Sequence, residues 1–293
     1  GIDPEPHPSG VKETWYYNTL VDDICCYGPR DGKNGIPWEC IVKPGEFTLY
    51  TGPFNKEKES CHLLYYYSVD QVGNVEPMKH QYFFVDTTPP LAYKEIGEPS
   101  IPEEGFTWVN QSTSIWLWCE DQDPHPVGQE TVYWRFSTWE NPEGRPIYSK
   151  WYSANYTQFP VEIHFTEDCW HDLEYYCEDH LGNKGRVHTQ YYVVDSAPPI
   201  IEKEIIGPQY GDCPPENPAD ECYIQDGVTE IHINVFDPEP HPVNDVECEW
   251  WYYWDRNHNG QYEENEYYYG GGFSDSEVIV FEEDSKHELH IEC

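Results

Sequence analysis

Internal repetition is the feature of this sequence that most restricts its fold. An acidic, proline-rich hexapeptide begins at three positions that are 118 and 116 residues apart: Asp3, Asp121 and Asp237. Two further motifs, an aromatic stretch ending in Asp-x-x-Gly-Asn and a Val-Asp-x-x-Pro-Pro segment, each occur twice: at 66–74 and 175–183, and at 84–90 and 193–199. A period of about 110–118 residues is the size of a β-sandwich domain. The sequence therefore predicts a tandem array of such domains.

The Pro-Pro segments mark the predicted boundaries between repeats. Proline removes a backbone donor and stiffens the chain, so each segment is expected to end a strand and act as a linker. The predicted domains are 1–88, 89–197 and 198–293. The first lacks what precedes the hexapeptide in the middle repeat, and the last stops at Cys293, whereas the middle repeat continues past Cys177. We therefore expect incomplete outer repeats and a chain that is a segment of a longer array.

The local patterns predict an all-β fold. In the middle repeat, residues 112–119 alternate, with Ile115, Leu117 and Cys119 on one face. Four further stretches are rich in aromatic or β-branched residues: 131–136, 161–165, 173–177 and 190–194. The 26 prolines and 21 glycines suit short strands and turns, and no stretch shows a helical apolar period. We expect a sandwich of about seven strands in the complete repeat.

Composition restricts the partners of the chain. Its 293 residues hold 16 Lys+Arg against 55 Asp+Glu, a formal charge of −39. Such a polyanion repels nucleic acid phosphates and anionic lipid, whereas hard cations such as Ca²⁺ are favoured partners. Aromatic residues make up 16% of the chain, which argues against acidic disorder. The apolar runs are too short to span a membrane, so no direct membrane insertion is expected.

A resemblance to a known family follows from two stretches. Residues 62–90 (HLLYYYSVDQVGNVEPMKHQYFFVDTTPP) contain an aromatic strand, a D-x-x-G-N turn, a second strand and a V-D-T-T-P-P junction. Residues 119–134 (CEDQDPHPVGQETVYW) contain the acidic hexapeptide. Both resemble the Ig-like, or fibronectin-like, repeats of bacterial and archaeal extracellular surface proteins. The resemblance implies a sandwich fold in an extracellular array and carries no catalytic residues.

Eleven cysteines without a C-x-x-C pair favour disulfides in an oxidising, extracellular place. The resemblance implies a bridge between strands that face each other across the core, Cys119–Cys177, and makes Cys248–Cys293 plausible in the last repeat. Two cysteines that bracket a Pro-rich loop are expected to close it: Cys213 and Cys222. The first repeat supplies four cysteines for two bridges, whose connectivity stays open among three choices: Cys25, Cys26, Cys40 and Cys61. This scheme leaves Cys169 over.

A twelve-residue segment, 255–266, fits the calcium-loop pattern D-x-[DN]-x-[DN]-G-x5-E in full. Its predicted ligand positions are Asp255, Asn257, Asn259, Gln261, Glu263 and Glu266. The early positions project oxygens inward, Gly260 permits the sharp turn, and a glutamate at the twelfth position closes the shell. The flanking sequences favour strands, so we expect a calcium loop at the tip of a β-hairpin. The alternative is an Asn-Gly hairpin turn in an acidic loop.

A second cation prediction concerns the joints between repeats. In the sandwich that the resemblance implies, the linker, the hexapeptide loop and the Asp-x-x-Gly-Asn turn lie at one pole. Carboxylates would then converge at each joint, from Asp86, Asp121, Asp123 and Asp179 at the first and from Asp195, Asp237 and Glu239 at the second. Converging carboxylates repel unless a cation neutralises them. Solvated loops or Asx turns are the alternative.

Two further features are candidate sites. Asn110 and Asn155 begin N-glycosylation sequons. The run at 250–254 (WWYYW) places aromatics on both faces of one strand. Its outer face could pair across strands, pack against another subunit or stack on sugar rings, and we favour the first two. The sequence lacks the common hydrolase, metalloprotease and phosphate-loop motifs, so no enzyme is predicted.

Together these features predict a structural protein. We expect an extracellular, disulfide-bonded, calcium-stiffened array of Ig-like domains that forms a surface stalk, surface layer or filament and associates with itself. The alternative is an adhesin or carbohydrate-binding module that presents aromatic faces to a glycan.

Overall fold

The computed structural model describes residues 1–5, 8–27, 40, 42–56, 58–139, 146–216, 220–239, 242–243 and 246–293. The predicted all-β fold is confirmed, because strands form all the described regular structure except a four-residue helix (α1, Ile24–Tyr27) and short 3-10 segments such as Tyr156–Gln158. The strands of each sheet come from one stretch of chain, before Asp86, between Asp86 and Asp195, or after Asp195. Among the described residues, no helix is long and apolar enough to cross a membrane.

The first stretch forms one four-stranded antiparallel sheet, in the order β2-β1-β3-β4. Its strands are β1 (Val11–Leu20), β2 (Thr48–Leu49), β3 (Ser60–Asp70) and β4 (Lys79–Val85). Disulfides supply much of its core, since Cys25, Cys40 and Cys61 are buried together against Tyr82 and Phe84. Cys25 is bonded to Cys40, and Cys26 is bonded to Cys61 of β3, which ties α1 to the sheet.

The middle stretch forms a sandwich of two sheets. The larger has seven strands in the order β10-β9-β13-β14-β7-β6, with β11 also pairing with β9, and the smaller has the order β12-β8-β5. Its strands are β5 (Leu91–Ile96), β6 (Ser100–Pro102), β7 (Phe106–Val109), β8 (Ile115–Glu120), β9 (Thr131–Trp139), β10 (Ile147–Tyr148), β11 (Tyr152–Asn155), β12 (Val161–Ile163), β13 (Trp170–Glu178) and β14 (His188–Val194).

These ten strands exceed the expected seven, because β6, β10 and β11 have only two to four residues and show no usable alternation. The core lies between the two sheets. Leu117 of β8 is fully buried against Val132 of β9 and Leu173 of β13. β14 pairs in parallel with β7, and β7 pairs with the edge strand β6.

The last stretch contains three small sheets, ordered β15-β18-β21, β16-β17 and β20-β19-β22. Its strands are β15 (Ile200–Ile206), β16 (Gln209–Gly211), β17 (Cys222–Ile224), β18 (Glu230–Phe236), β19 (Glu247–Trp254), β20 (Tyr267–Ser274), β21 (Ser276–Ile279) and β22 (His287–Glu292). Ile231 and Ile233 of β18 face Tyr252 of β19 in the core, together with Ile279 and Phe281. β19 therefore has an inner, buried face and an outer one.

Candidate cation sites

Three buried or half-buried carboxylates meet where the first linker reaches the middle sandwich. Asp86 follows β4, Asp121 follows β8 and Asp179 follows β13, so each stands at the end of a strand. Their ligand oxygens all lie within 4.8 Å of one another. Among the described residues, these three form the one set of three or more Asp, Glu, His or Cys side chains whose ligand atoms lie this close together. We call Asp86, Asp121 and Asp179 the joint triad.

Local hydrogen bonds hold each member of the joint triad. Asp121 Oδ2 accepts the backbone N–H groups of Val127 and Gly128, at 2.7 and 3.2 Å, which closes the hexapeptide loop. Asp179 Oδ1 accepts from the N–H groups of Leu181 and Asn183 in the Asp-x-x-Gly-Asn turn. The Asx turns named as the alternative are therefore present. They orient the carboxylates and leave them close together.

The Asn183 side chain connects the turn to the linker. Its amide Nδ2 donates to Asp179 Oδ2 at 2.7 Å and to the Asp86 carbonyl at 3.2 Å. Sequence reasoning did not assign this role, although the signal existed, because Asn ends both copies of the repeated turn. In the first copy Asn74 makes the same bond to Asp70 within its own turn.

Burial and like charge act together on the linker carboxylate. Burial raises the pKa of Asp86, and the neighbouring Asp121 and Asp179 carboxylates raise it further, while the Thr88 N–H opposes the shift. Asp86 has an exposed fraction of 7% and Asp179 of 6%. A carboxylate that is costly to ionise in this place would be stabilised by a bound cation.

Asp123 does not join the triad, contrary to the expectation for the first joint. It is exposed at the tip of the hexapeptide loop. The backbone turns at Asp121, whose carboxylate is occupied by the far side of the loop, and the tip is left in solvent. The buried residue of this loop is instead His125, whose ring packs at a tilt against the Phe84 ring, with centroids 5.0 Å apart, and whose Nε2 lies 3.0 Å from Asp23 Oδ1.

This contact joins the middle repeat to the first, so His125 packs at the boundary between the two repeats. His7 and His241, its counterparts in the other hexapeptides, lie outside the described residues.

The second joint repeats part of this arrangement. Burial raises the pKa of Asp195, and the nearby Asp237 and Asp168 carboxylates raise it further. Asp237 Oδ2 accepts from the Val243 N–H at 2.6 Å, while its Oδ1 is buried without a hydrogen-bond partner. Glu239, the third acid predicted there, is exposed. The structure therefore brings Asp195 and Asp237 together and leaves Glu239 in solvent.

The loop at 255–266 connects two antiparallel strands, β19 and β20. Asp255 is buried, and its two carboxylate oxygens accept from the Asn259 and Gly260 N–H groups at 2.9 and 2.8 Å. Glu266, exposed by 1%, accepts from three further loop N–H groups, those of Arg256, Asn257 and Glu263. The first and last positions of the pattern therefore point into the loop and brace its backbone.

The middle positions of the loop are more open. Asn257 Oδ1 accepts from the Asn259 N–H, and Asn259 Oδ1 accepts from the Gln261 N–H. Gln261 and Glu263 are exposed. The acidic side chains of this loop do not form a compact group of the kind seen in the joint triad, within the residues described. Calcium binding by this loop stays a prediction.

Disulfides fix the sheets around these sites. Cys119, two residues before Asp121, is bonded to Cys177, two residues before Asp179, so one bridge ties two triad-bearing strands across the sandwich. Cys248–Cys293 links β19 to the end of β22, and Cys213–Cys222 closes the Pro-rich loop. Cys169 is buried outside these five bridges, and its thiol contacts the Trp139 carbonyl.

The two sequons differ in accessibility. Asn155 is exposed and caps the 3-10 turn, with its Oδ1 accepting from Thr157. Asn110 is half-buried, with its Oδ1 accepting from Ser112. Glycosylation at either position stays a prediction.

Comparison with known proteins gives a likeness among solved structures and none at the level of sequence families. No family model and no curated protein matches the sequence. Among solved structures, the chain is similar to the FN1–FN3 domains of chicken CNTN1, with a TM-score of 0.29 and 9% sequence identity over 97% of this chain and 83% of that one.

Proposed function

We propose that this chain is part of an extracellular, disulfide-bonded array of β-sandwich repeats whose joints bind Ca²⁺. Its role is mechanical: a surface stalk, a surface layer or a filament subunit. The observation that carries the proposal is the joint triad, in which three strand ends contribute Asp86, Asp121 and Asp179 to one point between the linker and the middle sandwich.

The chemistry of the triad favours calcium over softer metals. All three donors are carboxylates, which suit hard cations, and Ca²⁺ accepts irregular sets of six to eight oxygens completed by water. Histidine and cysteine, which zinc and copper prefer, are not among these donors. A chain with a formal charge of −39 also concentrates divalent cations at its surface.

The mechanical role depends on what the ion would connect. Asp86 belongs to the linker, whereas Asp121 and Asp179 belong to loops of the middle sandwich. An ion held by all three would fix the linker against that sandwich, beside the packing of His125 on Phe84. The five disulfides support an extracellular place, because such bonds persist in oxidising compartments.

Calorimetric unfolding with and without calcium tests the proposal. We expect the unfolding midpoint to rise on adding Ca²⁺ to chelator-treated protein and to return when EGTA is added. A ligand at about 100 times its dissociation constant stabilises by about 2.7 kcal/mol, which is easily measured. A midpoint that EGTA leaves unmoved would reject calcium stiffening.

A further inference from the structure

The outer face of the middle sandwich holds its own cation. The Arg135 guanidinium lies 4.2 Å from the ring centroid of Tyr148 and 4.7 Å from that of Trp151, and its Nε donates to Glu174 Oε2 at 2.6 Å. Guanidinium groups favour such placement over aromatic faces beside a carboxylate. On the same face, Lys184 Nζ lies 3.9 Å from the Tyr176 ring. In the middle repeat, therefore, the aromatic and acidic side chains of the outer face are already covered by cations of the same chain.

The last repeat presents the equivalent face without that cation. His171 of β13 pairs with Thr138 of β9, and His287 of β22 pairs with Trp254 of β19, which aligns the two strand pairs. In this alignment Trp251 takes the place of Arg135. The pair Arg135↔Glu174 in one repeat thus corresponds to Trp251↔His290 in the other.

The resulting surface is an aromatic floor with acidic edges. Trp251 stacks on His290 with ring centroids 5.4 Å apart, and Tyr253 contacts Tyr267 at 5.3 Å. An open groove of about 590 Å³ is lined by four of the aromatic side chains and two glutamates: Trp251, Tyr253, Tyr267, Tyr269, Glu249 and Glu264. Tyr267 and Tyr269 are 42% and 52% exposed, and the Tyr269 hydroxyl donates to Glu249 Oε2. We call this surface the aromatic groove.

We propose that the aromatic groove binds an arginine side chain of a peptide segment from a different protein. The guanidinium would lie over the Trp251 and tyrosine rings and pair with Glu249 and Glu264, as Arg135 does with its own neighbours. Among the described residues, no lysine or arginine of this chain covers these rings. The glutamates that line the groove favour a positively charged segment there over the surface of a second copy of this chain, whose formal charge is −39.

Isothermal titration with synthetic peptides tests this. The probe is Gly-Arg-Gly-Arg-Gly with blocked termini, and its control is the same peptide with citrulline, which has nearly the same shape without the charge. We expect the arginine peptide to bind and the citrulline peptide to bind roughly tenfold more weakly or not at all. We also expect the affinity to fall with added salt, since the contact includes ion pairs.

Two variants assign the binding to the aromatic groove. Trp251→Arg should give the groove a cation of its own, as in the middle repeat, and abolish peptide binding. Glu249→Gln is a milder change at an exposed position and should weaken binding a few-fold. Tyr210→Ala removes a more exposed aromatic of the same repeat outside the groove and should leave binding unchanged. A melting curve for each variant establishes that it is folded.

The remaining outcomes overturn the proposal. These are no binding of the arginine peptide at millimolar concentration, equal binding of the citrulline peptide, or binding that persists in folded Trp251→Arg and Glu249→Gln. Chitohexaose is titrated in parallel, because sugar rings also stack on exposed aromatics. Binding of the sugar in place of the peptide would assign the groove to carbohydrate.

Discussion

At the scale of single residues, Asp86 has the most informative environment. It is buried, lies beside two other carboxylates and belongs to the linker, so its ionised form is unfavourable unless a cation is bound. We predict that Asp86→Asn leaves the calcium-free protein as stable as the wild type or more stable, because it removes repulsion. The same change should eliminate most of the stabilisation by calcium. Calorimetric unfolding in EGTA and in Ca²⁺ measures both effects.

The matched control for this change is Asp123→Asn. It alters an acid of the same hexapeptide loop that is exposed and outside the triad. It should therefore keep the full calcium response. Equal losses in the two variants would mean that calcium acts on the general negative charge of the surface, and the triad would not be a specific site.

The pKa of Asp86 also predicts a dependence on pH. Its pKa is raised in the folded protein, so the folded state binds the proton more tightly than the unfolded state, and this residue's contribution to stability is lost as pH rises. The loss begins at the ordinary pKa of aspartate, about 3.9, and is complete above the raised value.

Without calcium, the free energy of unfolding of Asp86→Asn minus that of the wild type should therefore increase as pH rises through that range. Urea unfolding at a series of pH values measures it. A difference that is constant with pH, or that shrinks as pH rises, would contradict the assignment.

At the scale of elements, the structural role of the loop at 255–266 can be tested separately from calcium binding. Glu266 is buried and accepts three backbone N–H groups of its own loop. We predict that Glu266→Ala destabilises the calcium-free protein by about 1–3 kcal/mol, the usual cost of leaving buried polar groups without partners. Urea unfolding in EGTA tests this.

Glu264→Ala, an exposed change in the same loop, should have almost no effect on stability. If Glu266→Ala were equally neutral, the glutamate would not brace the hairpin. Its place in the sequence pattern would then require another explanation.

The elements also show what the sequence could and could not predict. The alternation of Ile115, Leu117 and Cys119 identified β8 and its inner face, because every second side chain of a half-buried strand is apolar. The sequence did not predict the short edge strands β10 and β11, since two to four residues are too few to show an alternation of apolar and polar side chains. The triad was partly predicted, because strand ends in one sandwich share a pole. Asp123 was placed wrongly because loop closure by Asp121 depends on backbone hydrogen bonds that the sequence does not reveal.

At the scale of the whole molecule, the formal charge of −39 is arranged unevenly. Some carboxylates repel one another at joints, some brace loops, and some line the outer face of the last repeat. Unneutralised charge favours expanded arrangements of linked domains, and salt screens this over about 8 Å at ~0.15 M ionic strength. A specific joint ion should therefore act differently from salt.

Small-angle X-ray scattering can make that distinction. At fixed ionic strength, we predict that replacing EGTA with Ca²⁺ narrows the distribution of interatomic distances, because an ion at the joint restricts the linker. Sodium chloride of equal ionic strength should not reproduce the change, and Asp86→Asn should abolish it while Asp123→Asn retains it. Identical scattering curves for the wild-type protein in calcium and in EGTA would mean that a bound ion does not determine how rigid the joints are. Proline and packing alone would then determine the mechanics of the joints.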